Sequence, residues 1–182
     1  MNRKEIRVAF KNIFCILVFM KKFIFFIVAF VILEFAQETI AGPDVKVVDG
    51  DSLELSGRRV RLIGIDAPEY FQLCQDKEGQ EYMCGQKAKD FLQNLIDEGR
   101  SKGIKLKCKT EDVDRYNRDL SVCKMGDVYL NLEMVKAGYA VSYRNDMYQI
   151  AEKRAKKAKK GILQGNFMRT ELYRALERKK KN

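Results

Sequence analysis

The sequence predicts an α+β domain: a small Greek-key barrel of short strands with packed helices, preceded by a leader segment. Three observations predict it. Short strand-like runs punctuated by Gly, Asp and Pro come first, one amphipathic helix interrupts them, and further strands then give way to helices. No internal repeat or low-complexity linker divides the chain, and the only tract of biased composition is the basic C-terminus. The segment after the leader, residues 42–182, is 141 residues long, which is the size of one ordinary domain with room for a core.

The elements follow in order. Val45 to Leu55 alternates loosely around Asp49-Gly50, a turn signal, and reads as a strand pair. Arg58 to Ile65 is a strand rich in Val, Leu and Ile, and Pro68 ends it. Residues 70–83 are polar and irregular and read as a loop. Gly85 to Gly99 is helical, because Ala88, Phe91, Leu92, Leu95 and Ile96 form one apolar stripe and Gly99 serves as the stop. Ile104 to Lys109 alternates apolar residues with Lys, a half-buried strand whose partner is Leu120 to Lys124, and Val128 to Leu130 is a short strand after them. Asn131 caps a helix carrying Leu132, Met134 and Val135 that ends at Gly138. Tyr139 to Tyr143 is extended, and Asp146 to Lys160 is a strongly charged helix ending at Gly161.

Residues 23–33 are an uninterrupted run of 11 apolar residues behind Lys21 and Lys22. That order, basic then apolar, is the order of a bacterial secretory signal. The run falls short of the roughly 20 residues a spanning helix needs. Asn12 to Met20 is also apolar, but the two lysines interrupt any joint span. Met20 makes an ordinary signal-peptide start, and Thr39-Ile40-Ala41 offers a cleavage site. The chain therefore divides into a leader, 1–41, and a domain, 42–182. The expected location is secreted or periplasmic, and the alternative is an anchor retained in the membrane through residues 8–36. Removing the leader takes six Lys/Arg and three Asp/Glu from a chain of formal charge +10 and leaves +7. A basic domain suits an acidic partner, nucleic acid first among them.

Four of the five cysteines lie beyond the leader: Cys74, Cys84, Cys108 and Cys123. An even count behind a signal reads as two disulfides. Three pairings are open. Proximity favours Cys74–Cys84 and Cys108–Cys123, and the second pair would join two adjacent strands. Zinc is the rival reading, weakened by the absence of any C-x-x-C spacing and of any histidine.

The lack of histidine also removes Ser–His–Asp triads, Cys–His nucleophiles and His-based ribonuclease chemistry. Carboxylates and arginines remain, and they are concentrated in three blocks: Asp49-Gly50-Asp51-Ser52, Arg61 to Glu69, and Asp114-Arg115-Tyr116-Asn117-Arg118. Phosphodiester hydrolysis requires a base for water, donors for the charge that gathers at phosphorus, and a means of neutralising phosphate oxygens. Glu69 is the natural base. Asp51 and Asp66 can hold an oxygen-loving divalent cation, and Arg61 and Arg118 can grip phosphate through bidentate hydrogen bonds.

Those blocks resemble the staphylococcal nuclease (thermonuclease) family. Asp49-Gly50-Asp51-Ser52 is similar to the family's DGD[ST] turn, and Arg61-Leu62-Ile63-Gly64-Ile65-Asp66-Ala67-Pro68-Glu69 to its R-L-x-x-[IV]-D-[AT]-P-E segment. Asp114 to Arg118 is similar to D-[RK]-Y-G-R, Asn131 to Gly138 to the helix that follows, and Gly161 to Phe167 to a G-[IL]-W…F ending. The resemblance runs from Val45 to Phe167. It implies a five-stranded OB-fold barrel with three helices and Ca²⁺-dependent hydrolysis of DNA and RNA that leaves 3′-phosphates. It also implies that Asp51 and Asp66 ligate calcium, with Ala67 adding its carbonyl, that Glu69 is the base, and that Arg61 and Arg118 clamp the scissile phosphate. Arg115 and Tyr116 would contact a neighbouring phosphate, and Tyr143 would pack against a base. Both cysteine pairs fall where secreted members carry them. Three departures stand out: Ala67 for threonine, Asn117 for glycine in a turn that Asn also tolerates, and Leu163 for tryptophan.

Each residue also has a plainer reading. Asp49 and Asp51 suit a hairpin turn, and Asp66 and Glu69 around Pro68 suit a helix start. Arg61 and Arg118 suit a solvated surface, Tyr116 and Tyr143 suit packing, and the basic run Lys153 to Lys160 suits a solvated helix face. A second class of function is a non-catalytic OB-fold module that binds single-stranded nucleic acid. The carboxylates distinguish the two, because a binder gains nothing from placing Asp51, Asp66 and Glu69 against phosphate. The expected partners are DNA and RNA substrates, and the expected state is a monomer with no obligate protein partner.

Overall fold

Strand β1 (Val45–Asp49) turns at Gly50 into β2 (Ser52–Leu55), which turns again into β3 (Arg58–Leu62). The computed structural model describes residues 44–180, so the leader, its start and its cleavage site lie outside the described residues. After β4 (Ile65–Asp66) come β5 (Leu73–Gln75), β6 (Glu81–Met83) and helix α1 (Cys84–Ser101). Strands β7 (Leu106–Val113), β8 (Asp119–Met125) and β9 (Val128–Tyr129) follow, then α2 (Leu130–Lys136), β10 (Val141–Ser142) and α3 (Gln149–Lys157). A 3₁₀ turn (Gly161–Gln164) and α4 (Thr170–Lys180) complete the order.

The main sheet runs β1-β2-β3-β8-β7, with β9 added beside β8. It curls into a half-barrel of OB type. All its pairings are antiparallel except β3 with β8, which is parallel. Alternation explains its two faces. In β8 the residues Asp119, Ser121, Cys123 and Met125 are buried and those between them are half-buried. Helix α1 contributes Ala88, Leu92 and Ile96 to one core shared with Val47, Leu53, Val60, Leu62 and Met125 of the sheet. Met134 and Val135 of α2 join the same core.

The expected strands and the three expected helices are present, with α4 as a fourth helix beyond them. Four details differ from expectation. Residues 70–83 are not wholly irregular: Leu73–Gln75 pairs with Glu81–Met83 as a small hairpin, closed by the Cys74–Cys84 disulfide. The strand expected over Arg58 to Ile65 stops at Leu62, because Gly64 takes φ 79° and redirects the chain. Gly99 does not stop α1: it lies inside the helix against Met125, where a Cβ would come within 2.3 Å of the methionine Cε. Asn131 is not a cap. It sits within α2, fully buried, with Oδ1 accepting from the Cys123 N–H at 3.0 Å and Nδ2 donating to the Ile63 and Ser121 carbonyls.

The second disulfide is Cys108–Cys123, and these residues stand directly opposite each other in the β7–β8 register. A smaller cluster forms around Cys74, Cys84 and Ile162, with Leu163 and Phe167 packed on it. Among the described residues no helix is long and apolar enough to cross a membrane.

Candidate active site

Asp51 is placed by the tight turn between β1 and β2. The register shifts between Val47 and Asp49, and the Asp51 N–H donates to Asp49 Oδ1 at 3.1 Å. Gly50 has no room for a side chain, since a Cβ there would lie 2.7 Å from both Ala67 Cβ and Ala88 Cβ. The Asp51 residue is 2% exposed. Its Oδ1 accepts from Ser52 Oγ at 2.9 Å and Arg61 Nη1 at 2.7 Å, and its Oδ2 accepts from the Ala67 N–H at 3.0 Å. Ser52 pairs with Arg61 across β2 and β3, so strand register brings the guanidinium to the turn.

Asp66 lies on β4 opposite Val141 of β10 and is 3% exposed. Its Oδ1 accepts from Arg61 Nη2 at 2.9 Å, so one guanidinium holds both buried carboxylates. The same Oδ1 accepts from Arg174 Nη2 at 3.1 Å, and Arg174 Nη1 donates to Glu69 Oε1 at 2.8 Å. Glu69 is more open, with its side chain 39% exposed. Its backbone is fixed by Gln72, whose Oε1 accepts from the Glu69 N–H and whose N–H donates to the Glu69 carbonyl. Gly85, at the start of α1, lies against that carbonyl so closely that a Cβ would overlap it.

The electrostatics follow from this crowding. Burial, and then the charge of Asp51, push Asp49 up to about 7. Burial and Asp51 also raise Asp66, against the opposing pull of Arg174 and Arg61. Burial works against the charge of Arg61, but Asp51 and Asp66 outweigh it and raise its pKa. The same contest in Arg174 is won by Glu69 and Asp66. Three carboxylates, Asp51, Asp66 and Glu69, thus share two guanidiniums, Arg61 and Arg174, and leave a surplus of negative charge.

The third block forms its own turn. Asp114 Oδ1 accepts from the Tyr116 and Arg118 N–H groups, and Asn117 adopts φ 58°, the left-handed conformation expected of it. Arg118 Nε and Nη2 both bond Asp114 Oδ2. Arg115 lies over the Tyr116 ring, 4.8 Å from its centroid, and donates to the Tyr116 hydroxyl, while Arg59 donates to the Tyr116 carbonyl. The parallel pairing of Arg61 with Leu120 sets this turn beside the start of β3. Tyr143 follows β10, donates its N–H to the Gly64 carbonyl, and carries Arg144 against its ring.

Arg61, Asp51, Asp66 and Glu69 are therefore brought together, directly or through Arg174. Arg118, Arg115 and Tyr116 form a neighbouring cluster without a hydrogen bond to them. Sequence reasoning missed Arg174, Gln72 and the anchoring role of Asp114. Arg174 gave no local signal, being one cation in a basic tail, whereas Asp114 was visible at the head of its motif. Among the described residues no three His, Cys, Asp or Glu side chains gather closely enough to hold a metal ion. The candidate donor set is two carboxylates and the Ala67 carbonyl.

A family model described as staphylococcal nuclease homologue matches residues 59–164, and the chain belongs to that family. The match contains Arg61, Asp66, Glu69 and Arg118, while Asp51 and Arg174 lie outside it. The chain is 34% identical over 131 residues to the succinoglycan biosynthesis protein ExoI of Rhizobium meliloti (strain 1021), covering 70% of this chain and 66% of that protein. It is 33% identical over 137 residues to endonuclease YhcR of Bacillus subtilis (strain 168), covering 66% of this chain and 11% of that one. It is 31% identical over 119 residues to the thermonuclease of Staphylococcus intermedius, covering 62% and 67%. The chain thus spans just under two thirds of the ExoI protein and a small part of YhcR.

Proposed function

We propose that this chain is an exported, Ca²⁺-dependent nuclease that hydrolyses phosphodiester bonds in DNA and RNA and leaves 3′-phosphate ends. The observation that carries the reading is Arg61 bridging two buried aspartates, Asp51 and Asp66, beside the more open Glu69. Family membership supports it, as do the names endonuclease and thermonuclease carried by two relatives.

The donor set fits a hard cation: buried, all oxygen, and negative in sum. Asp51 and Asp66, with the Ala67 carbonyl, would hold it, and when bound it would neutralise phosphate oxygens. Glu69 takes a proton from the attacking water, within hydrogen-bond reach of its open side. The water oxygen bonds to phosphorus as the bond to the 5′ oxygen breaks, the departing oxygen takes a proton from solvent to become a hydroxyl, and the phosphate stays on the 3′ side. Arg61 and Arg118 donate to the non-bridging oxygens, and these bonds strengthen as charge develops. Arg118 retains Nη1 for this, because Asp114 engages only its Nε and Nη2. Arg115, Tyr116 and Tyr143 would bind flanking parts of the strand.

The test is cleavage of single- and double-stranded DNA by the oxidised protein with millimolar Ca²⁺, and again with a chelator. Cleavage that needs Ca²⁺ and yields 3′-phosphate ends supports the reading. Binding without cleavage in Ca²⁺, Mg²⁺ and Mn²⁺ would replace it with the binding-module reading. Export is supported by the basic-then-apolar leader and by two disulfides, which belong to oxidising compartments. The intact mass of the protein recovered outside the cytoplasm tests it: a start at Gly42 supports cleavage, and a retained leader means an anchor.

A further inference from the structure

Glu69 follows Pro68 on a loop, and its side chain is 39% exposed. A glutamate so placed has several rotamers open to it, yet a general base must hold its oxygen within a few tenths of an ångström of one position. One contact fixes it. Arg174 Nη1 donates to Glu69 Oε1 at 2.8 Å, and Arg174 Nη2 donates to Asp66 Oδ1 at 3.1 Å. Because the guanidinium is a rigid planar fork, it sets the spacing of the two carboxylates as well as holding them. Asp66 is itself anchored by Arg61, so Asp51, Arg61, Asp66, Arg174 and Glu69 form one chain of alternating charge. Glu69 Oε2 accepts no hydrogen bond among the described residues and is left for water.

The route by which Arg174 arrives is also built. The Gln75 N–H donates to the Asn166 carbonyl at 2.8 Å, and Gln72 Nε2 donates to the Met168 carbonyl at 2.6 Å. Gln72 is fully buried and also accepts from the Glu69 N–H, so the side chain that holds the base's backbone ties down the strap leading to α4. Gly165 passes so close to the Gln75 and Asp76 carbonyls that a Cβ there would lie 2.2 and 2.4 Å from them. Thr170, the first residue of α4, is fully buried.

We propose that Arg174 is a positioning residue for hydrolysis at this site, fixing Glu69 against Asp66, and that the strap from Gly165 to Thr170 delivers it. The inference rests on the nuclease reading above. It assigns a function to the segment beyond the family match, which ends at residue 164.

The test compares the oxidised wild-type chain with R174A, R174K, E69Q and the double variant E69Q/R174A. Rates on DNA with Ca²⁺ are resolved into kcat and KM, and thermal unfolding checks each fold. The expected result for R174A is a kcat lower by about 10- to 100-fold with KM within about threefold, since the guanidinium acts on the base and not on bound substrate. R174K, which keeps the charge and loses the fork, should fall between. In the E69Q background R174A should add less than about twofold, because a residue acting through Glu69 has nothing left to position. A raised KM at unchanged kcat would overturn the proposal in favour of a substrate contact. Activity of R174A at or above wild type would overturn it in favour of a restraining latch, and a full R174A effect in the E69Q background would mean independent action. If R174A unfolds, R174K decides: wild-type kcat there overturns the proposal. Inactive E69Q with a fully active R174A removes this inference alone, whereas fully active E69Q, or an inactive wild type with every cation, removes the nuclease mechanism with it.

Discussion

Arg118 Nε donates to Asp114 Oδ2 at 2.8 Å, and its Nη2 lies 2.7 Å from the same oxygen. The pair spans the turn that Asp114 also organises through two backbone N–H groups, so one aspartate shapes the loop and aims the arginine. Arg118→Ala should lower cleavage about 10²- to 10³-fold, the effect of losing one donor to the developing charge. Asp114→Ala should lower it less, about tenfold, by releasing a side chain that is still present. Steady-state rates on DNA, alongside unfolding midpoints, check both. A wild-type rate for Arg118→Ala would remove Arg118 from the phosphate clamp.

The same aspartate sets a pH dependence of stability. Burial works to raise Asp114, but hydrogen bonds from the Arg118 and Tyr116 groups and the Arg118 charge lower it below its usual 3.8. A carboxylate lowered in the folded state binds fewer protons there than in the unfolded state. Its contribution is therefore present above about pH 4 and is lost as pH falls through the folded value. Asp114→Asn should be less stable than wild type at pH 7, and the gap should close below pH 4. Urea unfolding at several pH values measures it, and a gap that is flat with pH would contradict the ion pair.

Asn131 satisfies the Cys123 N–H and the Ile63 carbonyl at once from a fully buried position. Asn131→Leu keeps the size and leaves those groups unpaired, which should cost about 3 kcal/mol. Asp at this position should cost at least as much, since it donates to neither carbonyl. Equilibrium unfolding of both variants tests the assignment, and a loss under about 0.5 kcal/mol for either would refute it.

The two disulfides should differ in what they protect. Each closes a short loop, with sequence separations of 10 and 15, so removing either as a Cys→Ala pair should cost about 3 kcal/mol. Cys74–Cys84 closes the hairpin that follows Glu69 and Gln72, and its loss should also reduce cleavage several-fold well below the melting temperature. Cys108–Cys123 joins facing strands away from that loop, and its loss should leave the rate within about twofold. Rates measured on both variants at low temperature, where each is folded, separate the two roles.

The sequence made Asp51, Arg61, Asp66 and Glu69 legible because each sits in a short block punctuated by Gly50 or Pro68, where backbone geometry is set locally. The strands and α1 were legible through their alternation and their apolar stripe. What escaped depends on tertiary docking. Asn131 near a helix start has the chemistry of a cap, and only the packing of α2 on β8 turns it inward. Residues 73–83 form strands too short for alternation to register. Arg174 is one cation among many in the basic C-terminal segment, and nothing nearby distinguishes it from Lys179 or Arg178 until the strap brings α4 to Glu69.

Gly50, Ala67, Gly85 and Ala88 bring no reactive side chain, yet Gly50 is wedged between the two alanines and Gly85 rests on the Glu69 carbonyl. The spacing of the reactive groups is therefore recorded in missing atoms. Saturation mutagenesis would return these four positions as nearly as intolerant as Glu69 itself, and intolerance alone would misassign them. Adding the metal or varying the pH would rescue none of them, because the defect would lie in the distance between β2, the base-bearing loop and α1.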